Sequence, residues 1–166
     1  MNKKAGVFIV LLVVATLALP VSVVSATKPE TKTLTGTFVT PFDPSKVTII
    51  QAGDSGNGAW KFRDAPVIWS GDMSAVSGVY NGNWLTKGGP LGSGGETVLT
   101  TGAYVLTDVT IDGIDGSGDL TLGQNGGHLF VKSGSGDLKS IRGTGTITAG
   151  AGMFTYNYEL EIQINP

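Results

Sequence analysis

"FTYNYELEIQI", Phe154 to Ile164, decides the fold class. Phe154, Tyr156, Tyr158, Leu160, Ile162 and Ile164 alternate with Thr155, Asn157, Glu159, Glu161 and Gln163, a period of two held over eleven residues. Successive side chains of a strand point to opposite faces of its sheet, so the segment predicts a strand with one packed and one wet face. Phe154, Tyr156, Tyr158 and Leu160 are expected to point inward. Beyond the N-terminal segment, no stretch keeps the apolar i, i+3, i+4, i+7 spacing of a helix for three turns.

Upstream, short β-branched or alternating runs are separated by Gly, Asn, Asp and Ser. "LTGTFVT", "KVTIIQA", "AWKFRD", "PVIWSGDM" and "GVYNGNWLT" come first. "ETVLTTGAYVLTDVTI", "DLTLG", "HLFVKSG" and "GTGTITA" then lead into the last strand. Short connections imply antiparallel neighbours, and roughly eight strands in one small domain must hide their edges by closing or by stacking. The preferred reading is all-β, a single antiparallel, roughly eight-stranded closed barrel over residues 33–166, with a β-sandwich as the alternative. A chain of 166 residues, 40% apolar and 14% charged, can bury a core without disulfides. It contains no cysteine, which removes thiol catalysis and Cys-based zinc sites.

The first 26 residues stand apart. "MNKK" is basic, "AGVFIVLLVVATLAL" is apolar, Pro20 breaks any helix, and Val24, Ser25 and Ala26 form a small-residue end. The order predicts a signal peptide over 1–26, cleaved after Ala26, and a secreted or extracytoplasmic protein in the cell envelope. The alternative is an uncleaved membrane anchor, because Ala5 to Val24 is charge-free and about 20 residues can span a bilayer. Residues 27–32, "TKPETK", read as a polar leader acting as a tether. The mature chain keeps nine Lys and Arg against thirteen Asp and Glu, a net charge of −4, which argues against a nucleic-acid partner.

"GSGDL" occurs at Gly116 to Leu120 and again at Gly134 to Leu138, with "SGDM" at Ser70 to Met73. The unequal spacing of Asp72, Asp119 and Asp137 is not that of a solenoid. Asp108, Asp112, Asp115 and Asp119 lie close in sequence, yet their intervals do not match the alternate-position acids of an EF-hand loop. Turns explain more, because Asp-Gly pairs suit positive φ and Asp or Ser side chains accept nearby backbone N–H groups.

The same residues carry a family resemblance. Gly127 to Ile162 resembles the C-terminal signature of a family of small bacterial and archaeal proteins, a domain of unknown function with a barrel related to allene oxide cyclase. The matching positions are Gly134, Gly136, Asp137, Leu138, Arg142, Gly143, Gly145, Thr155, Tyr156 and Tyr158. "GSGDLKSIRG" is also similar to a stretch of the plant dirigent proteins, with Leu138 and Ile141 where that pattern has Phe and Ala. The resemblance implies an eight-stranded antiparallel barrel and carries over no catalytic residue.

Few side chains suggest chemistry. His128 is the only histidine and sits beside "LFV", so a His-rich metal site and paired acid–base histidines are excluded. No Gly-x-Ser-x-Gly elbow positions a serine for a triad. Glu159 and Glu161 share one face of the last strand, where a solvated surface is the plain reading. No catalytic residue, metal ligand or cofactor is expected. The aromatic residues are the better lead: Trp60, Trp69, Trp84, Tyr156 and Tyr158 are the candidate ligand-binding residues, with core packing as the competing role. Trp84, after Asn81-Gly82-Asn83, is a candidate for a barrel mouth. Gly36, Gly145 and Ala149 fall where a filled core would want bulk, which favours a pocket. Three functions stay open: a non-catalytic binder of a small apolar or aromatic ligand, a structural or interaction module contacting an envelope component, and a cyclase or isomerase acting by confinement.

Overall fold

The computed structural model describes residues 29–52, 57–88, 96–152 and 154–164. The expected signal peptide, and with it the cleavage site after Ala26, lies outside the described residues. Ten strands follow: β1 Glu30–Val39, β2 Val47–Ala52, β3 Asn57–Pro66, β4 Ile68–Gly71, β5 Met73–Lys87, β6 Glu96–Ile111, β7 Gly118–Asn125, β8 His128–Gly134, β9 Arg142–Ala149 and β10 Thr155–Ile164. Single 3-10 turns occupy Pro44–Lys46 and Gly136–Leu138.

The strands form one sheet in the order β2-β3-β5-β6-β7-β8-β9-β10-β1-β4, with every pairing antiparallel. A single ladder rules out the two stacked sheets of a sandwich. The alternation that opened the sequence is real: Tyr158, Leu160 and Ile162 are buried while Glu159, Glu161 and Gln163 are exposed. Phe154 and Tyr156 are only half-buried, because they sit at the end of the sheet.

Two features differ from the expectation. The sheet is curled and barrel-like, with ten strands in an order that starts at β2 and ends at β4, not roughly eight in a closed ring. Each of the ten runs read in the sequence contributes a strand, so the count of about eight was low, and the strand bounds have local causes. β2 hairpins onto the outside of β3, and "PVIWSGDM" is divided at Val67 and again at Asp72, after Gly71 has turned with φ +108°. Val67 N–H donates to Gly78 O at 2.9 Å, which holds β4 beside the start of β5. The polar leader also ends early: residues 30–32 are already in β1, where Lys32 lies opposite Ile162.

Bulges produce the curl by bending strands locally. The register shifts between Phe62 and Ala65 and between Leu106 and Val109 contain Asp64 and Asp108, both at positive φ (48° and 49°). Asp tolerates this region because its short polar side chain bonds locally. Inside the curl lies one core, dominated by rings from β1, β3, β4, β5, β6 and β10.

Candidate functional site

The repeated "GSGDL" is punctuation of the sheet. The two copies lie against each other: Ser117 N–H donates to Asp137 Oδ2 (3.1 Å), Asp137 N–H to Ser117 O (3.1 Å), and Asp119 N–H to Ser135 Oγ (2.9 Å). Asp119 Oδ1 accepts the N–H of Asp108 at 3.2 Å, inside the bulge. Asp72 of "SGDM" does the same for Thr35, accepting its N–H at 2.7 Å and its hydroxyl at 3.0 Å, and these bonds hold the Asp72 carboxyl below its usual range. Each aspartate thus satisfies a backbone donor of another segment. Among the described residues no group of three or more His, Asp or Glu is placed to hold a metal ion.

The other signature residues are structural too. Gly136 has φ +56° and starts the turn that buries Leu138 and Ile141, while Arg142 donates to Ile141 O at 2.8 Å. Gly134 faces the Leu138 carbonyl, and Gly143 and Gly145 lie where a Cβ would strike the carbonyl oxygens of Glu161 and Glu159. Gly145 therefore allows close approach of β9 and β10, correcting the idea that it leaves room for a ligand. At Gly36 the space is filled by the Tyr158 ring and the Ser70 carbonyl.

Of the five candidate ligand-binding residues, Trp60, Trp69, Trp84 and Tyr158 are buried in the core, and Trp84 is not displayed at a mouth. Trp69 stacks on Phe38 (centroids 4.6 Å), meets Tyr104 edge-on (5.5 Å) and lies 4.8 Å from Tyr158. Trp84 packs on Phe62 at 4.6 Å and donates its Nε1–H to Tyr80 Oη at 3.1 Å. The indole N–H groups of Trp60 and Trp69 are buried without an acceptor among the described residues. Tyr158 reaches across the seam to Met73, whose N–H donates to the phenol oxygen (3.0 Å) and whose carbonyl accepts the phenol proton (3.3 Å).

Tyr156 is different. It lies 5.1 Å from Phe38 and 6.1 Å from Trp84, and it also lines a surface groove of ≈ 240 Å³ at the end of the sheet where β6 and β10 begin and β9 ends. Val98, Leu99 and Ile147 supply apolar wall, and of the three small residues singled out in the sequence Ala149 lines this groove while Gly36 and Gly145 do not. Gln124 forms the polar side. Its Oε1 accepts from Tyr104 Oη at 2.9 Å, and its Nε2 donates to Thr100 Oγ1 (3.0 Å) and Gly126 O (3.2 Å). Those bonds leave the Gln124 amide pinned, whereas the Tyr156 hydroxyl has no partner among the described residues.

Sequence reasoning missed Gln124, Tyr104 and Thr100. Tyr104 was visible in the alternation of "AYVLTDV", but an isolated Gln in "LTLGQNGG" carries no signal of burial.

Among the described residues no Asp, Glu, Lys, Arg or His lines this groove. Burial pushes the Tyr156 phenol up to about 12, and Tyr80 to about 12 with the same leading cause. Tyr104 is driven well above its ordinary value by burial and by its neighbours Tyr80 and Tyr156. These phenols stay protonated near neutrality and are available as hydrogen-bond donors. His128 is exposed and shares an outer-face groove with Glu159, Glu161 and Phe130, away from the aromatic core.

The fold and site define an all-β, barrel-like protein with a charge-free groove against an aromatic core. No family model matches the chain, and no curated protein does. Among solved structures it is similar to a protein of unknown function from the DUF3224 family of Shewanella oneidensis MR-1, at 20% identity and a TM-score of 0.47. The match covers 82% of this chain and 99% of that one. The resemblance to allene oxide cyclase and dirigent barrels rests on the signature residues alone.

Proposed function

We propose that this is an exported, non-catalytic binding protein that takes a small, uncharged, apolar or aromatic ligand in the groove at Tyr156. The observation that carries the reading is the phenol of Tyr156, which among the described residues has no hydrogen-bond partner and no charged neighbour in the groove wall, and which is backed by Phe38 and Trp84. Small-molecule sites combine apolar lining with a few placed polar groups, and a neutral donor here favours a ligand with one acceptor near its edge. Among the described residues the groove has no group that titrates near neutrality, which favours binding over acid–base catalysis. Export rests on the order of basic, apolar and small residues ahead of Thr27.

Trp84 supplies the assay. Small aromatic alcohols, ketones and amides added to the purified protein are expected to quench tryptophan emission and raise Tm. Tyr156→Phe should weaken binding by about fivefold, one neutral hydrogen bond, with Tm unchanged. Absence of any quenching and Tm shift, or equal affinity of the Phe variant, refutes the site. Mass spectrometry of the native protein is expected to find Thr27 at the amino terminus, and an intact residue 1 refutes export by cleavage.

A further inference from the structure

The sheet order leaves β2 as a terminal strand with no described strand on its outer side, while β4, at the other end, is held beside β5. A free strand edge is a row of unsatisfied N–H and C=O groups, and proteins usually blunt it with Lys, Pro, a bulge or a cover. β2 has none of these in its own strand. "VTIIQA" carries no charge and no proline, and its ladder with β3 runs from Val47↔Phe62 to Ala52↔Asn57 without a register shift.

The strand is also apolar on both faces, with Ile49 53% and Ile50 46% exposed. Ile50 continues a row across the outer face, opposite Ala59, which is opposite Leu85, which is opposite Leu99. Leu85 and Leu99 are 41% and 40% exposed, so a contiguous apolar stripe runs to the open edge and stops there.

We infer that β2 pairs antiparallel with β2 of a second copy of this chain, about a two-fold axis at Ile50. Directly opposed residues of an antiparallel pair point to the same face, and a two-fold axis normal to the sheet preserves the faces. Only registers that pair residues of like parity satisfy both conditions. With Ile50 opposite its own image, the stripe Leu99–Leu85–Ala59–Ile50 meets its image end to end. A two-fold axis also sets each edge against an identical one, which penalises any charged edge by self-repulsion. The uncharged β2 meets that condition, and the apolar row that stops at Ile50 is continued by its own image, which selects a second copy as the occupant.

The chain contains no cysteine, so a single introduced thiol reports only on its own image. Opposed Cα atoms in an antiparallel pair lie about 4.5–5.5 Å apart, inside the range a disulfide spans. Ile50→Cys is expected to form an intermolecular disulfide at least about tenfold faster than Val105→Cys, a control at similar exposure (41%) on the same outer face. Sedimentation should show concentration-dependent dimers for the unmodified protein, and Ile50→Lys should weaken association by at least about tenfold without lowering Tm. Equal cross-linking of the two thiols, a protein that sediments as a monomer throughout, or undiminished dimerisation of Ile50→Lys would each overturn the inference.

Discussion

Replacing Tyr158 by Phe tests how the curl is held. The ring keeps its place beside Trp69 and over Gly36, and only the hydroxyl is lost. That hydroxyl makes two buried bonds to the main chain of Met73, at 3.0 and 3.3 Å, linking β10 to the first residue of β5. A buried N–H stripped of its acceptor costs about 1–3 kcal/mol, and the longer bond to the carbonyl adds about 0.5 kcal/mol, so the expected loss is about 1.5–3.5 kcal/mol. For a domain of this size each kcal/mol moves Tm by about 3–5 °C, giving a fall of about 5–18 °C. Tyr156→Phe is the internal reference: that hydroxyl has no partner among the described residues, so its removal should change stability by less than about 0.5 kcal/mol. Thermal melts of both variants measure the difference, and amide exchange should show Met73 opening faster in the Tyr158 variant. Equal melting temperatures for the two Phe variants, or unchanged protection of Met73, would refute the latch.

Alkaline pH gives a second test. Burial raises the phenols of Tyr80, Tyr156 and Tyr158 to about 12 and that of Tyr104 further, above the unfolded value of about 10. The fold therefore favours the protonated form, so this stabilisation is complete below pH of about 10 and is lost as pH rises through about 12. Phenolate absorbance should stay flat through pH of about 10 and then appear together with unfolding. A tyrosine that ionises at about 10 in the folded protein contradicts the burial argument. Asp137→Asn keeps an acceptor for Ser117 N–H and should cost less than about 0.5 kcal/mol, whereas Asp137→Ala should cost about 1 kcal/mol; a calcium-dependent Tm would revive a metal loop. Gly145→Ala should cost more than about 2 kcal/mol, because its Cβ meets the Glu159 carbonyl, and an unchanged melt would show that β9 and β10 have room.

The all-β class was legible because it depends on local periodicity. Tyr158, Leu160 and Ile162 point inward for the reason their spacing states, and Glu96–Ile111 emerged as one strand with the bounds its composition suggests. Turn chemistry was equally local, so the aspartates of "GSGDL" and "SGDM" could be read as acceptors of backbone N–H groups before their donors were known. Which donors they serve was not legible: Ser117 lies 20 residues from Asp137, and Thr35 lies 37 from Asp72. Such separations are bridged by the curl, and nothing in the intervening sequence encodes them. The ten runs were legible one by one but their ends were not, since Val67 looks like any strand residue until the bond to Gly78 shows where the chain has broken step. For the candidate site, sequence singled out aromatic residues as a class because bulk and hydrophobicity are properties of the side chain itself. Whether a ring is core or wall depends on how far along a strand the sheet still covers it. Tyr158 is covered, and Tyr156, two residues nearer the strand end on the same face, opens onto a groove. That difference belongs to the register of β10 against β1 and β9, and only the tertiary structure sets it.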